Sequence, residues 1–253
     1  MRTLILSDMH GRDPRPIISH ARKHDGIEKL VCLGDYDSPY VLEKILNLKI
    51  PKIVLIGNHD YHLVLEYPKP KEDRVYISSS HLPYYESQAY EKLLEEWQAH
   101  KKAKRFVEEC SKVKCGRKKG IKVVERIDGE RIAYIHAALT KDPPEKGMPP
   151  NLWRRIIDEN LTVRSYRVSS MFSEMKENDY FITFRGHDHT YAVFSIPRML
   201  DPLKFQFSLD LSERINLSKN KRYIVSVNSC SNFNKNQYLI FDTSKLELEM
   251  KSY

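Results

Sequence analysis

Over residues 1–60, short apolar runs alternate with amphipathic stretches. Residues 2–6, 29–33 and 52–56 are apolar, rich in β-branched side chains and bounded by turn formers, as expected of strands buried on both faces. Between them, residues 14–25 begin with a proline and carry Ile17, Ile18 and Ala21 on one side. Residues 39–48 follow a capping Ser38 and space Val41, Leu42, Ile45 and Leu46 as a helix does. The order strand, helix, strand, helix, strand predicts a parallel sheet with helices on its faces.

That rhythm stops at Tyr61. Residues 68–71 read as a loop and 74–77 as a short strand. Residues 85–113 are helical in composition, but their apolar positions do not hold one face. Tyr90, Leu93, Leu94 and Trp97 share one side, and Ala103, Phe106, Val107, Cys110 and Val113 share another. This predicts two helices, or one long helix with two partners, broken near 99–102, in an insertion that could overhang a site. Asp128-Gly129 between the apolar runs 121–127 and 131–136 is a hairpin signal. A Pro-rich loop at 141–150 precedes helices expected at 151–159 and 163–176, which carry Arg154, Arg155, Arg164 and Arg167. Residues 179–184 read as another buried strand. Residues 191–196, 205–209, 222–227, 237–241 and 246–251 have β character, enough for a second sheet packed on the first.

The polar residues that end these strands are chemically alike. Asp8 and His10 follow the first strand, and Gly34-Asp35 ends the second. Gly57-Asn58-His59-Asp60 ends the third, His136 follows 131–135, and Gly186-His187-Asp188-His189 follows 179–184 and Arg185. Open α/β sheets place ligands at the carboxyl ends of their strands. Carboxylates and imidazoles converging there can hold a divalent cation. Asp8 and His10, and again His187 and His189, are two apart, so in an extended segment each pair would point one way. Each cluster alone is weak evidence, since Asp after Gly is a common turn and a lone His after a strand is usually structural. Their repetition at successive strand ends carries the metal reading.

Composition narrows the class. The 253 residues suffice for one large α/β domain, and nothing in the chain marks a linker between halves. No apolar run approaches the roughly 18 residues of a membrane span, and the N-terminal run is too short for a signal peptide, so a cytoplasmic protein without membrane association is expected. Cys32, Cys110, Cys115 and Cys230 are scattered without a C-x-x-C, which indicates neither a disulfide framework nor a zinc knuckle and reads instead as buried or free thiols. The formal net charge of +8 is carried entirely by residues 101–122, where Lys101, Lys102, Lys104, Arg105, Lys112, Lys114, Arg117, Lys118, Lys119 and Lys122 face only Glu108 and Glu109. Such a patch attracts phosphate-bearing partners, although a solvated helix face with a Lys-rich loop accounts for it equally well.

Together, Asp8-Met9-His10, Gly34-Asp35, Gly57-Asn58-His59-Asp60, His136 and Gly186-His187-Asp188-His189 resemble, in content and order, the motifs of the calcineurin-like metallophosphoesterase superfamily. The resemblance implies an α/β, four-layer metallophosphoesterase sandwich, two packed mixed β-sheets flanked by helices. Residues 1–253 would form a single domain, with a basic helical insertion at about 68–120. It implies a phosphoesterase with two divalent cations, Mn foremost and Fe, Zn, Ni or Co as alternatives, whose shared hydroxide attacks a phosphate mono- or diester. Asp8, His10 and His189 would hold the first cation. Asn58, His136 and His187 would complete the second, and Asp35 would bridge both. His59 would protonate the leaving group, and Asp60 would fix His59 by a hydrogen bond. The phosphoprotein phosphatases place their histidine-orienting Asp three residues after the bridging one; here Asp37 lies two after Asp35. No Arg follows Asp37 or the Asn58-His59-Asp60 block, which points away from a protein phosphatase. Residues 222–229 are similar to a late strand of bacterial small phosphodiesterases and diadenosine tetraphosphatase relatives, with Asn228 where Gly is usual. The expected substrate is a phosphorylated small molecule or nucleotide. A nuclease holding nucleic acid through residues 101–122 is the alternative. A scaffold with a dead site is disfavoured, because every ligand position is filled.

Overall fold

A computed structural model describes residues 1–66, 88–113, 116, 118–139, 155–157, 162–203, 206–227 and 237–252, the side chains of 66 and 88–91 excepted. The expected short strand at 74–77, the loops at 68–71 and 141–150, and residues 228 and 229 lie outside the described residues.

The apolar runs form strands as expected. These are β1 (Arg2–Leu6), β2 (Lys29–Cys32), β3 (Lys52–Leu55), β4 (Lys119–Gly120), β5 (Lys122–Ile127), β6 (Glu130–Ile135), β7 (Tyr180–Arg185), β8 (Ala192–Pro197), β9 (Ser208–Asp210), β10 (Arg214–Asn216), β11 (Lys221–Ser226), β12 (Gln237–Asp242) and β13 (Glu247–Ser252). One seven-stranded sheet has the order β10-β13-β12-β1-β2-β3-β4, and a six-stranded sheet has the order β5-β6-β7-β11-β8-β9. β1 to β4 are parallel and β12 joins β1 antiparallel. In the second sheet β6, β7 and β11 are parallel, with β5 and β8 antiparallel on either side. Both sheets are therefore mixed. Asp128 and Gly129 take φ of 49° and 84°, the turn that matches the twist of the β5–β6 hairpin.

Side chains alternate between two cores, as the pleat requires. Ile5, Val31, Leu33, Ile53 and Leu55 pack with Tyr134, Phe184 and Val225 of the second sheet. Their neighbours Leu4, Leu6, Leu30, Cys32 and Val54 pack with Ile17, Ala21, Val41 and Ile45 of the helices Arg15–Asp25 and Pro39–Asn47. On the far side, Ala133, Ile135, Tyr180 and Ile224 pack with Val168, Met171 and Phe172 of the helix Ser165–Glu177. The result is four layers, helix, sheet, sheet and helix.

The insertion breaks where its apolar faces disagree. Helices Gln88–Ala99 and Lys101–Ser111 meet at His100. Trp97, Ala103, Val107 and Cys110 are buried in the same cluster as the first two helices, so this pair extends the outer layer. Part of the basic stretch is engaged within the chain: Arg105 and Lys119 pair with Glu109, and Lys102 donates to the amide oxygen of Asn47. Two expectations need correction. Of the helix expected at 151–159, only 155–157 are described; they are not helical, and Ile157 instead bridges Val163. The strand expected at 205–209 sits at Ser208–Asp210. Among the described residues, no helix is long and apolar enough to cross a membrane.

Candidate metal centre

The parallel strands β1, β2 and β3 of one sheet and β6 and β7 of the other deliver their following loops to one edge of the sandwich. The loop after β1 runs beside the loop after β2. Asp8 N donates to Gly34 O at 3.1 Å, His10 N to Asp35 O at 3.0 Å and Gly11 N to Tyr36 O at 2.8 Å. The loop after β7 closes on both sheets, with Gly186 N donating to His136 O at 2.9 Å and His187 N to Asp8 Oδ2 at 3.0 Å. The extended geometry expected of Asp8–His10 and His187–His189 is not what forms. Asp8, His10, Asp35, Asp37, His187 and His189 all have positive φ, between 43° and 68°. Side-chain-bearing residues rarely adopt that region, and such residues concentrate at functional sites. Coiling, rather than strand alternation, makes the ligands converge.

Glycine is required where the loops touch. A Cβ on Gly57 would overlap the Asp35 carboxylate, and one on Gly186 would overlap Ser7 Oγ and approach Asp8 Oδ2 to 2.7 Å. The Gly-before-ligand pattern of the sequence thus reflects backbone passing directly against a carboxylate.

Two donor groups result. Asp8, His10 and His189 form one, and Asp35, His136 and His187 form the other, each with its ligand atoms within 4.8 Å of one another. Asp35 also groups with His10 and His59 within 4.8 Å, which places it beside the first set. Asn58 reaches the second set, with its Oδ1 2.8 Å from His136 Nε2. All the expected metal ligands, Asp8, His10, Asp35, Asn58, His136, His187 and His189, are therefore brought together at one edge.

The donor chemistry fits cations. His136 Nδ1 lies 2.9 Å from Leu33 O and His10 Nδ1 lies 2.9 Å from an Asp37 oxygen. Donation through Nδ1 turns Nε2 of both rings toward the centre, where its lone pair serves a cation once the imidazole has given up its second proton. His136 Nε2 then faces Asp35 Oδ2 at 3.3 Å, and His10 Nε2 faces His189 Nε2 at 3.1 Å. His189 Nε2 in turn lies 3.3 Å from Asp8 Oδ1. Lone pairs converging on buried carboxylates repel unless positive charge sits among them. Burial would raise the pKa of Asp35 and Asp8. The His136 and His59 charges at Asp35, and the His189 hydrogen bond and charge at Asp8, outweigh it and hold both well below the usual carboxylate range. His187 is pushed well down by burial and by the charges of His136 and Arg155, which keeps it a neutral ligand.

The residue that orients His59 is Asp37, not Asp60. Asp37 Oδ1 lies 2.8 Å from His59 Nδ1, while its Oδ2 takes His10. One carboxylate therefore links the expected proton donor to an expected metal ligand. Asp60 lies in the short helix Asn58–Tyr61 and folds back on its own turn, accepting Gly57 N, Asp35 N and Tyr36 N, each at 2.9 Å. It braces the loops after β2 and β3 against each other. Burial and the Asp35 charge raise Asp60 to about 7. Burial would lower His59, but the charges of Asp37 and Asp35 outweigh it and lift the imidazole to about 10.

A further support was not singled out from sequence. Arg185 and Asp188 form a fully buried ion pair, in which Arg185 Nε also donates to Ala137 O at 2.8 Å. Asp188 accepts Ile156 N at 3.2 Å and Ile157 N at 3.1 Å. The Arg three residues before Asp in Arg185-Gly186-His187-Asp188 was the available signal. Removing one partner of a buried pair costs about 3–5 kcal/mol, because the other charge is left behind. Asp188→Ala is therefore expected to lower unfolding stability by about that amount in urea melts. A loss below about 1 kcal/mol, the range of an exposed pair, would show that the pair does not hold this loop.

Comparison with known proteins agrees with this geometry. The profile of the calcineurin-like phosphoesterase superfamily domain matches residues 1–202. No curated protein matches. Among solved structures, a metallophosphoesterase from Sphaerobacter thermophilus is similar at 18% identity and TM-score 0.61, covering 100% of this chain and 87% of its own. A hypothetical protein from Pyrococcus horikoshii OT3 is similar at 14% identity and TM-score 0.59, covering 99% and 87%. A structure described as a novel archaeal phosphodiesterase is similar at 14% identity and TM-score 0.50, covering 100% of both chains. With four layers, candidate metal ligands following five strands of its two sheets and a family profile spanning most of its length, the chain belongs to the calcineurin-like phosphoesterase superfamily.

Proposed function

We propose that the protein is a phosphoesterase that works with two divalent cations, Mn foremost, and hydrolyses a phosphate mono- or diester of a small molecule or nucleotide. The observation that carries this is the pair of donor groups, Asp8 with His10 and His189, and Asp35 with His136 and His187, with Asp35 placed beside both. Asp8, His10 and His189 would hold one cation, Asn58, His136 and His187 the other, and Asp35 would be shared. Bound there, such cations would neutralise phosphoryl oxygens and bring the pKa of water toward roughly 7.

The chain's own groups divide the remaining work. Asp37 keeps the His59 ring turned so that Nε2 points away from the carboxylate and carries the transferable proton. His59 is the partly exposed member of the dyad, with 28% of its side chain accessible against 14% for Asp37, so its proton is the one a substrate reaches. It would donate to the departing oxygen. Cations at Asp35 would offset part of the lift that carboxylates give His59, bringing its acidity closer to what proton transfer near neutral pH requires. Asp60 and the Arg185–Asp188 pair hold the loops through contacts within the chain.

The test is a screen of p-nitrophenyl phosphate, its bis-ester and a nucleotide set across Mn, Ni, Zn and Mg. Hydrolysis that requires metal and stops on chelation is the expected result. Metal bound at the site with no turnover of any ester would contradict the reading. Oligonucleotides at increasing salt form a second arm, because phosphate contacts by Lys and Arg weaken steeply with ionic strength. Oligonucleotide cleavage with that salt dependence would favour the nuclease alternative.

A further inference from the structure

The fully buried Trp97, on the last turn of helix Gln88–Ala99, belongs to the insertion rather than to the strands that carry the expected ligands. Its indole Nε1 donates to the backbone carbonyl of Asp37 at 2.7 Å. Asp37 is held at φ 58°, a backbone state that side-chain-bearing residues seldom take without outside support. Its carboxylate reaches His59 Nδ1 at 2.8 Å and His10 Nδ1 at 2.9 Å, so a small rotation of this residue would misalign both imidazoles. The insertion has a separate anchor: Glu43, on helix Pro39–Asn47, takes His100 Nδ1 at 3.3 Å and Ala103 N at 3.4 Å. That anchor makes none of the Asp37 contacts.

We propose that Trp97 is a positioning residue: its N–H fixes the Asp37 main chain, and through it the alignment of His59 and His10, so that the helical insertion sets the geometry of the proton donor. The inference rests on the phosphoesterase reading for its kinetic consequence and on geometry alone for its structural one. Trp97→Phe keeps an aromatic ring in the cavity and removes the donor. Misplacing a reacting group by a fraction of an ångström to 1 Å costs up to about a hundredfold.

In the protein saturated with Mn, Trp97→Phe should lower kcat roughly tenfold or more on a phenyl ester, whose leaving group needs a proton, with KM unchanged; because His10 shares the Asp37 carboxylate, more Mn should be needed to reach saturation. The loss on the matching p-nitrophenyl ester should be much smaller. Glu43→Gln, which loosens the insertion elsewhere, should leave this leaving-group dependence as in the wild type. Equal losses of the two esters in Trp97→Phe, or the same pattern in Glu43→Gln, would overturn the proposal. A second measurement does not depend on turnover. In the Zn-loaded protein, the downfield ring-proton resonance that vanishes in His59→Gln should move or broaden in Trp97→Phe; an unmoved resonance would also overturn the proposal. Absence of ester hydrolysis by the wild type would instead defeat the functional reading and leave the resonance to decide the positioning role.

Discussion

An Asp35→Asn protein is expected to lose cations and, with them, hydrolysis down to the buffer background. Asp35 is 1% exposed, and it is the carboxylate that reaches both donor groups. Asparagine keeps the shape but replaces a charged oxygen pair with one neutral oxygen and an amide that ligates poorly. Two cations near each other repel, and the shared negative charge is what makes their proximity tolerable. One nearby contact should survive, since His59 N could still donate to an Asn oxygen in place of Asp35 Oδ1 at 3.0 Å. The variant should therefore fold with little change in melting temperature while metal per chain drops in elemental analysis. Full occupancy of Asp35→Asn under the loading conditions of the wild type would remove the bridging role.

His59→Gln is expected to separate the acid from the metals. His59 is not among the residues assigned as ligands here, so metal content should persist. Loss of a placed proton donor costs roughly 10²–10⁴ in rate. The whole of that loss should fall on esters with poor leaving groups, because a leaving group that departs unprotonated has no use for the donor. Asp37→Asn should act in the same direction and also loosen His10, since one carboxylate serves both rings. It should thus lower metal affinity where His59→Gln does not. An unchanged kcat of His59→Gln on a phenyl ester would exclude His59 as the acid.

The placement of the ligands was legible because the strands were. β1, β2, β3, β6 and β7 are apolar runs followed by a Gly or a short polar cluster, and the first expected ligand after each lies at the shared edge. What sequence could not supply was the path of the backbone through those clusters. Asp60 follows His59 directly and so invites assignment as its partner. Once the short helix forms, its carboxylate turns back to Gly57 N, while Asp37, remote in sequence, arrives from another loop. The role of Asp37 hinges on a left-handed φ that no periodicity encodes. The buried Arg185–Asp188 pair looks like surface charge in a one-dimensional reading, because partner and burial are properties of the packed loops. Trp97 read as core, which it is, but its N–H contact with Asp37 needed the position of the insertion. The basic stretch at 101–122 read as one patch, whereas Arg105, Lys119 and Lys102 are already engaged within the fold.

Anomalous scattering from crystals of the Mn-loaded protein tests the central claim most directly. Two peaks are expected, about 3.5–4 Å apart, one ringed by Asp8, His10 and His189, the other by Asn58, His136 and His187, with Asp35 between them. A single peak, or manganese bound away from this edge of the sandwich, would contradict the two-cation account of the site.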